Sequence, residues 1–290
     1  MQTDVRQVFY FHADANSLGG FLGGKASGLE DLVEIIPTHS SVSLSPTGGS
    51  ATSRSEAPCP TGGVEVHTSM THVYGVPKRP NGPWTQRVIS TVTGFELLGR
   101  IKAKRLVAQI FIEQPEGGGP RKISFGGSKI EDLSVDGHPV ALNFNPTLLP
   151  QHHRDIAADT APVAFTPDLP WTAVESETYR QGVARLSQAT VPKWAEERFA
   201  WMAKRPDEAQ TNPKGYELCS LVDQIDGVTT GTTFAHTIEI PDFGRIFLAE
   251  VIVSPLAASL TMFRAELGCA VTGQVSASTV RSNGTTCPPN

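Results

Sequence analysis

The chain has 290 residues, of which 39% are hydrophobic and 18% charged, and its formal net charge at pH 7 is -5. This length allows one large β domain, or two smaller ones, with a substantial core. The negative charge argues against a nucleic-acid-binding protein that depends on a general basic field, and no apolar run reaches the ~20 residues that span a bilayer.

The composition favours many short strands over helical bundles, because 27 glycines and 22 prolines make the chain rich in turns. We predict a mainly β fold, with antiparallel sheets in a sandwich or barrel-like arrangement and a short two-helix insertion near residues 172–205. The predicted regions are an N-terminal β region (1–150), a linker with the helical insertion (151–213), and a C-terminal β region (214–290). The last region completes the same sheet or a second one.

The first predicted strand, Val5–Ala13, has apolar groups on both faces and is therefore expected to be covered on both sides. It contains His12, a candidate acid–base residue. A basic segment followed by an apolar one is missing at the N-terminus, so we predict no signal peptide and a cytoplasmic location.

Two segments of the N-terminal region are predicted to be irregular. Residues 18–25 are dense in glycine but carry no phosphate-binding motif, so their glycines are interpreted as turn and bulge positions. Residues 46–63 are polar and are predicted to form a loop.

The segments Trp84–Leu98 and Ile101–Gln114 are long, adjacent and β-rich, which predicts a hairpin or meander. Three cationic residues of the second segment are interpreted as a solvated sheet edge: Lys102, Lys104 and Arg105. Further along, Asp136-Gly137 is a strong signal for a two-residue hairpin.

Sequence motifs for metal binding or catalysis are absent. His67 and His72 are five residues apart, so a regular strand does not aim both at one metal ion. None of the four cysteines has CxxC spacing, and neither GxSxG nor HExxH occurs. We therefore predict no metal site and no cofactor.

The helical insertion begins where Thr172 and Glu175 have capping-box spacing. This helix is predicted to extend to about Gln188, with four packing residues: Val174, Tyr179, Val183 and Leu186. Pro192 is expected to open a second helix that ends near Lys204.

The C-terminal region reads as three consecutive strands, predicted at Phe234–Ile240, Arg245–Val253 and Leu260–Leu267, with Thr272–Val280 as a candidate fourth. In the first of them His236 is placed in an otherwise apolar row. Burial there lowers the pKa of an imidazole and leaves a neutral base that can accept a proton near neutral pH. The alternative is a core histidine that is hydrogen-bonded to a backbone carbonyl.

Two classes of function stay open. The first is a non-enzymatic β-rich binding or self-assembling structural protein that forms a homo-oligomer, since catalytic motifs are missing and sheet edges need a partner. The second is an enzyme of isomerase, hydratase or cyclase type, with an apolar pocket for an apolar small-molecule ligand and His236 or His12 as the acid–base group.

Overall fold

The structure is a computed structural model that describes residues 8–24, 29–59, 62–77, 82–116, 119–151, 169–200, 217–254, 257–268 and 271–287. The first strands are β1 (Val8–Gly24), β2 (Leu29–Ile36), β3 (Ser41–Ser43), β4 (Gly49–Ser55), β5 (Val64–Glu65), β6 (Thr68–Pro77) and β7 (Trp84–Leu97). The next are β8 (Ile101–Gln114), β9 (Lys122–Ser124), β10 (Lys129–Glu131), β11 (Ser134–Val135), β12 (His138–Pro139), β13 (Ala141–Phe144) and β14 (Leu169–Pro170).

Two helices follow, α1 (Trp171–Leu186) and α2 (Lys193–Phe199). The chain then returns to strands: β15 (Glu217–Ser220), β16 (Val222–Asp226), β17 (Thr232–Phe234), β18 (Thr237–Ile240), β19 (Gly244–Val253), β20 (Ala257–Gly268) and β21 (Thr272–Cys287). The predicted second helix extended to Lys204, and residues 201–216 lie outside the described ranges.

The strands form two large antiparallel sheets. Sheet I has the order β17-β18-β19-β20-β21-β1-β2, with β15 on β19 and β3 on β1. Sheet II has the order β12-β11-β8-β7-β6-β4, with further short strands beside β7 and β8. A small third sheet pairs β13 with β16. Each main strand path has two ends, so the described strands form an open sandwich rather than a closed barrel.

The inner faces of the two sheets share one apolar core. Phe95 of sheet II and Phe263 of sheet I have ring centroids 4.7 Å apart, and Phe9 stacks on Trp84 at 5.4 Å. Most buried apolar side chains belong to this single cluster, which is what two packed sheets require. The predicted mainly β, antiparallel fold with two helices is confirmed.

Several local predictions were wrong. Strand β1 continues through the glycine-dense segment to Gly24, since β21 pairs with it as far as Gly23. Strand β4 lies inside the predicted loop 46–63, where it pairs with β6. The capping box is not used either, because α1 begins at Trp171 and Pro170 precedes it without a side-chain cap.

Four neighbouring strands of sheet I each contain one residue that has no paired residue on the adjacent strand: Ser17, Ser278, Met262 and Ala249. We call this line of residues the crease. On β1, Ala15 and then Leu18 face the core, although residues three apart normally face opposite sides. The alternation inverts in the same way on the other three strands. Both Ala249 and Ser278 have left-handed backbone conformations, with φ +50° and +54°.

The helices cover part of the outer face of sheet I, so this part of the molecule has three layers. A small apolar cluster between them contains Ala195 and Phe199 of α2 with Leu218 of β15 and Phe234 of β17. Burial of the aromatic side chains contributes on the order of 1.5–3 kcal/mol each. Helix α1 contributes Trp171 and Val174 to the main apolar core, and its other buried residues are mostly polar.

Candidate functional site

His236 lies in a two-residue hairpin turn. Phe234 pairs with Thr237, so Ala235 and His236 connect β17 to β18. Ala235 has φ +53°, the left-handed conformation that tight hairpin turns need. The single strand predicted for Phe234–Ile240 is therefore wrong, because the turn divides it.

The turn places the imidazole beside a carboxylate and a guanidinium. His236 is 0% exposed, and its Nε2 donates a long hydrogen bond of 3.5 Å to Glu250 Oε1. Arg264 donates to both oxygens of Glu250, from Nε at 2.6 Å and from Nη2 at 3.0 Å. Because a carboxylate only accepts, the proton of the neutral imidazole lies on Nε2, and Nδ1 has no hydrogen-bond partner among the described residues. We call these three side chains the His236 cluster.

Aromatic side chains enclose the His236 cluster. The ring centroids of Phe199 and Phe247 lie 5.9 and 6.3 Å from that of His236. The guanidinium carbon of Arg264 lies 3.9 Å from the centroid of the Phe247 ring. A cation over an aromatic face is stabilised by the ring quadrupole, and more so when it is desolvated. Arg264 therefore holds its charge between an anion and an aromatic ring.

The crease is what brings Glu250 to this face. Phe247 and Glu250 are three residues apart on β19 and would point to opposite faces of a regular strand. The inversion at Ala249 turns both to the helix side. Arg264 is the cross-strand partner of Phe247 and joins them there. Glu250 is not recognisable as a partner of His236 from the sequence, because no residue type signals this inversion.

Two groups of the cluster, His236 and Glu250, have pKa values well below their usual ranges. Burial, aided by the positive charge of Arg185, lowers the pKa of His236 to about 4. Burial by itself would raise the pKa of Glu250, but hydrogen bonds from His236 and Arg264 outweigh it and hold this pKa far below its usual range. At neutral pH the cluster therefore contains a neutral imidazole, a carboxylate and a guanidinium.

A second buried cation connects the cluster to α1. Burial lowers the pKa of Arg185 to about 10, so this guanidinium is still charged at neutral pH, and its Nη2 donates to Gln181 Oε1 at 2.6 Å. Gln181 also donates to the backbone oxygen of Ser220 at 2.7 Å and accepts from its N–H at 2.9 Å. The C-terminal half of the helix thus docks through polar groups, and Val183, a predicted packing residue, is 40% exposed. Val174, another predicted packing residue, is buried in the main core.

His12 lies in a different part of sheet I. It is exposed on β1, opposite Asn283 of β21. Four strand steps separate β18 from β1 in the sheet order, which corresponds to about 19 Å at ordinary strand spacing. The structure therefore does not bring the two predicted acid–base residues together. The catalytic roles of His236 and His12 stay predictions.

The His236 cluster is arranged to fix charges in place. Its imidazole is enclosed, and its carboxylate is already bound by Arg264 through two hydrogen bonds. Such a group holds neighbouring side chains in position. Within the described ranges, no three His, Cys, Asp or Glu side chains are grouped so that they could hold a metal ion.

A separate surface feature lies at the β2 edge of sheet I. Phe21, Val33 and Ile35 are 42%, 60% and 70% exposed. Phe21 pairs with Ile35, and Val33 pairs with Gly23, so the three side chains are neighbours on the outer face. We call them the apolar row. Among the described strands, β2 ends the sheet order and has a partner on one side only.

Comparisons with known proteins place the chain in a family. Among the described residues, no helix has the length and apolar character needed to cross a bilayer. No curated protein and no solved structure matches the chain. The model of one family does match, over residues 9–254, a stretch that includes β19 but neither β20 nor β21. The chain therefore belongs to the family described as Domain of unknown function (DUF8256).

Proposed function

We propose that this protein is a non-catalytic β-sandwich protein that assembles with a second copy of itself through strand β2. The observation that carries the proposal is the apolar row beside a strand edge that pairs with no other described strand. Large exposed apolar groups that are contiguous mark interaction surfaces more often than scattered ones do. An exposed edge strand also presents a line of backbone donors and acceptors that another strand can pair with.

A second copy fits this edge geometrically. Two β2 strands that run antiparallel about a twofold axis perpendicular to the sheet extend sheet I from one subunit into the next. The same axis keeps both apolar rows on one face of the joined sheet. Val33 and Ile35 of the two copies then become cross-strand neighbours, and such pairs stabilise a β ladder.

The His236 cluster supports a non-catalytic function. The most plausible acid–base residue in the sequence is 0% exposed, and burial lowers its pKa to about 4. Glu250, the neighbouring carboxylate, is occupied by Arg264. Together these contacts account for the histidine as part of the packing between the helices and sheet I.

The test is the oligomeric state of the full chain, measured by size-exclusion chromatography with light scattering at micromolar concentrations. We expect a dimer for the wild type. The variant V33K/I35K places two charges in the apolar row. Its dissociation constant should therefore rise at least about a hundredfold, which is twice the free energy of a tenfold change, about 1.4 kcal/mol.

Ile252→Lys is the matched control. Ile252 is 40% exposed but lies on β19, inside sheet I and away from the edge. This variant should remain dimeric, and all variants should keep the wild-type circular dichroism spectrum. A wild-type protein that is monomeric throughout this concentration range would overturn the proposal, as would equal loss of dimer in the control.

A further inference from the structure

A groove of about 590 Å³ lies on the outer face of sheet II, away from the proposed dimer edge. Strands β4, β6, β7, β8 and β10 contribute to it. Its principal lining residues are Arg54, Met70, Thr91, Thr93, Lys104 and Arg105. The volume is in the range of small-molecule sites.

The strand register builds the groove from two adjacent rows. Met70 pairs with Arg54 on one side and with Thr91 on the other. Thr93, two residues further along β7, pairs with Arg105. Directly opposite residues have Cβ atoms about 5 Å apart, so hydroxyl and cationic groups face the same space.

Two consecutive cations point outwards because the strand alternation inverts here. Ala103 and Leu106 both face the core, so Lys104 and Arg105 between them lie on the outer face. The ladder between β7 and β8 skips Gly94 and Lys104 at this place, and Gly94 has φ +66°. The predicted solvated sheet edge is therefore wrong for these cations, since β8 has strands on both sides.

The floor of the groove contains a hydroxyl that the described residues leave without a partner. Thr91 is 6% exposed, and its Oγ1 is buried with no hydrogen bond. Buried hydroxyls are nearly always bonded, because an unpaired one keeps its desolvation penalty. A χ1 rotation that turns this hydroxyl towards an acceptor atom of a ligand in the groove would remove this penalty.

The charge of the lining is positive. Three cations and one carboxylate, Glu131, give a formal charge of +2 (3 - 1), in a chain whose net charge is -5. Arg54 and Lys104 contact exposed carboxylates outside the lining, Glu56 at 3.1 Å and Asp132 at 3.5 Å. Exposed pairs of this kind are weak and exchange readily for a ligand anion.

We propose that this groove binds the phosphate or sulfate group of a small organic anion. Guanidinium, ammonium and hydroxyl donors line the groove, and a tetrahedral oxyanion accepts from all three kinds of donor. The groove is larger than a bare ion requires, so the organic part of the ligand lies over Met70 and the methyl groups of the threonines.

Isothermal titration calorimetry of the full chain tests this with four probes: phenyl phosphate, phenyl sulfate, inorganic phosphate and phenol. We expect a phenyl ester to bind in a 1:1 ratio, inorganic phosphate more weakly, and phenol not at all. The stronger ester identifies the oxyanion. Absence of saturable binding by both esters at millimolar concentrations would overturn the inference.

Substitutions locate the binding. K104Q and R105Q should each weaken ester binding roughly tenfold, the usual effect of losing one charge-assisted contact. The matched control is K102Q, which removes the same charge from the same strand, where Lys102 pairs with Glu96 at 2.8 Å and does not line the groove. Equal weakening by all three would mean non-specific attraction and would exclude the groove.

Thr91→Val separates binding from stability. It keeps the side-chain shape and removes only the unpaired hydroxyl, so ester binding should weaken severalfold while the melting temperature stays the same or rises. A lower melting temperature with unchanged binding would show that the hydroxyl is structural. None of these changes touches β2, so the outcome is independent of whether the protein dimerises.

Discussion

At the scale of single residues, His236 illustrates how a buried imidazole can be stable without being charged. A protonated form would gain from Glu250, but burial and the charge of Arg185 oppose it more strongly. The neutral form still donates from Nε2 to the carboxylate. Glu250 remains charged because Arg264 compensates it with two hydrogen bonds.

The displaced pKa of His236 predicts a pH dependence of stability. Its pKa is about 4 in the folded state against 6.5 ordinarily, so the unfolded state binds more protons between these values. The stabilising contribution is complete above pH 6.5 and is lost as the pH falls towards 4. The slope reaches about 1.4 kcal/mol per pH unit, and the total is roughly 3 kcal/mol.

Urea unfolding at several pH values from 4 to 7.5 measures this contribution. In the His236→Gln variant the free energy of unfolding should change less with pH than it does in the wild type. His12→Gln removes an exposed histidine of another part of sheet I and serves as the control for loss of an imidazole, while His72, whose pKa burial also lowers, contributes equally in every variant. Parallel curves for His236→Gln and wild type would contradict the assignment.

At the scale of elements, the crease links the two sheets directly. Ser278 lies in the crease, and its Oγ accepts from the N–H of Ala108 at 2.9 Å and donates to the oxygen of Ser90 at 2.8 Å. Ser90 and Ala108 are themselves a cross-strand pair of β7 and β8. One side chain of sheet I therefore completes hydrogen bonds within the ladder of sheet II.

Ser278→Ala should destabilise the protein by about 1–3 kcal/mol, because it leaves a buried N–H unsatisfied. Thermal and urea unfolding measure the change. Thr279→Ala is the neighbouring control: its hydroxyl bonds only to Thr261 at 3.3 Å within sheet I, and its loss should cost less than about 1 kcal/mol. Similar losses in both variants would argue against a special role for the crease.

Some elements were visible in the sequence and others were not. The Asp136-Gly137 turn and the β7–β8 hairpin follow from local residue chemistry, and the structure contains both. Strand β4 has little apolar character and exists because β6 supplies seven paired positions. Helix α1 was predicted, and Val174 packs in the core as expected, but the buried face further along is polar, where Gln181 bonds the backbone of β15.

At the scale of the whole molecule, the two ends of the described chain meet in one sheet. Strands β1 and β21 form a ladder in which Val8 pairs with Cys287 at one end and Gly23 pairs with Thr272 at the other. Composition and strand alternation predicted the antiparallel β class, since these are local properties. They did not predict this ladder or the position of Glu250 beside His236, because both depend on pairing between distant residues.

This topology predicts that the N-terminal region does not fold independently. A fragment of residues 1–213 lacks strands β15 to β21 and exposes the core face of β1, so we expect no cooperative thermal transition by circular dichroism. Co-expression with residues 214–290 is the control and should yield a complex that co-purifies and unfolds cooperatively. A cooperative transition of the isolated fragment would instead support two independent domains.

The crease also has a consequence for how sheet I avoids misalignment. In an ordinary sheet a strand that slips by two residues keeps every side chain on its proper face, so such errors are only weakly penalised. Here a two-residue slip would move one inversion point away from the others. Core side chains of the slipped strand would then meet solvent-facing neighbours over that interval. The four inversion points thus penalise even-numbered slips as well as odd ones, and they leave one alignment in which all four strands agree.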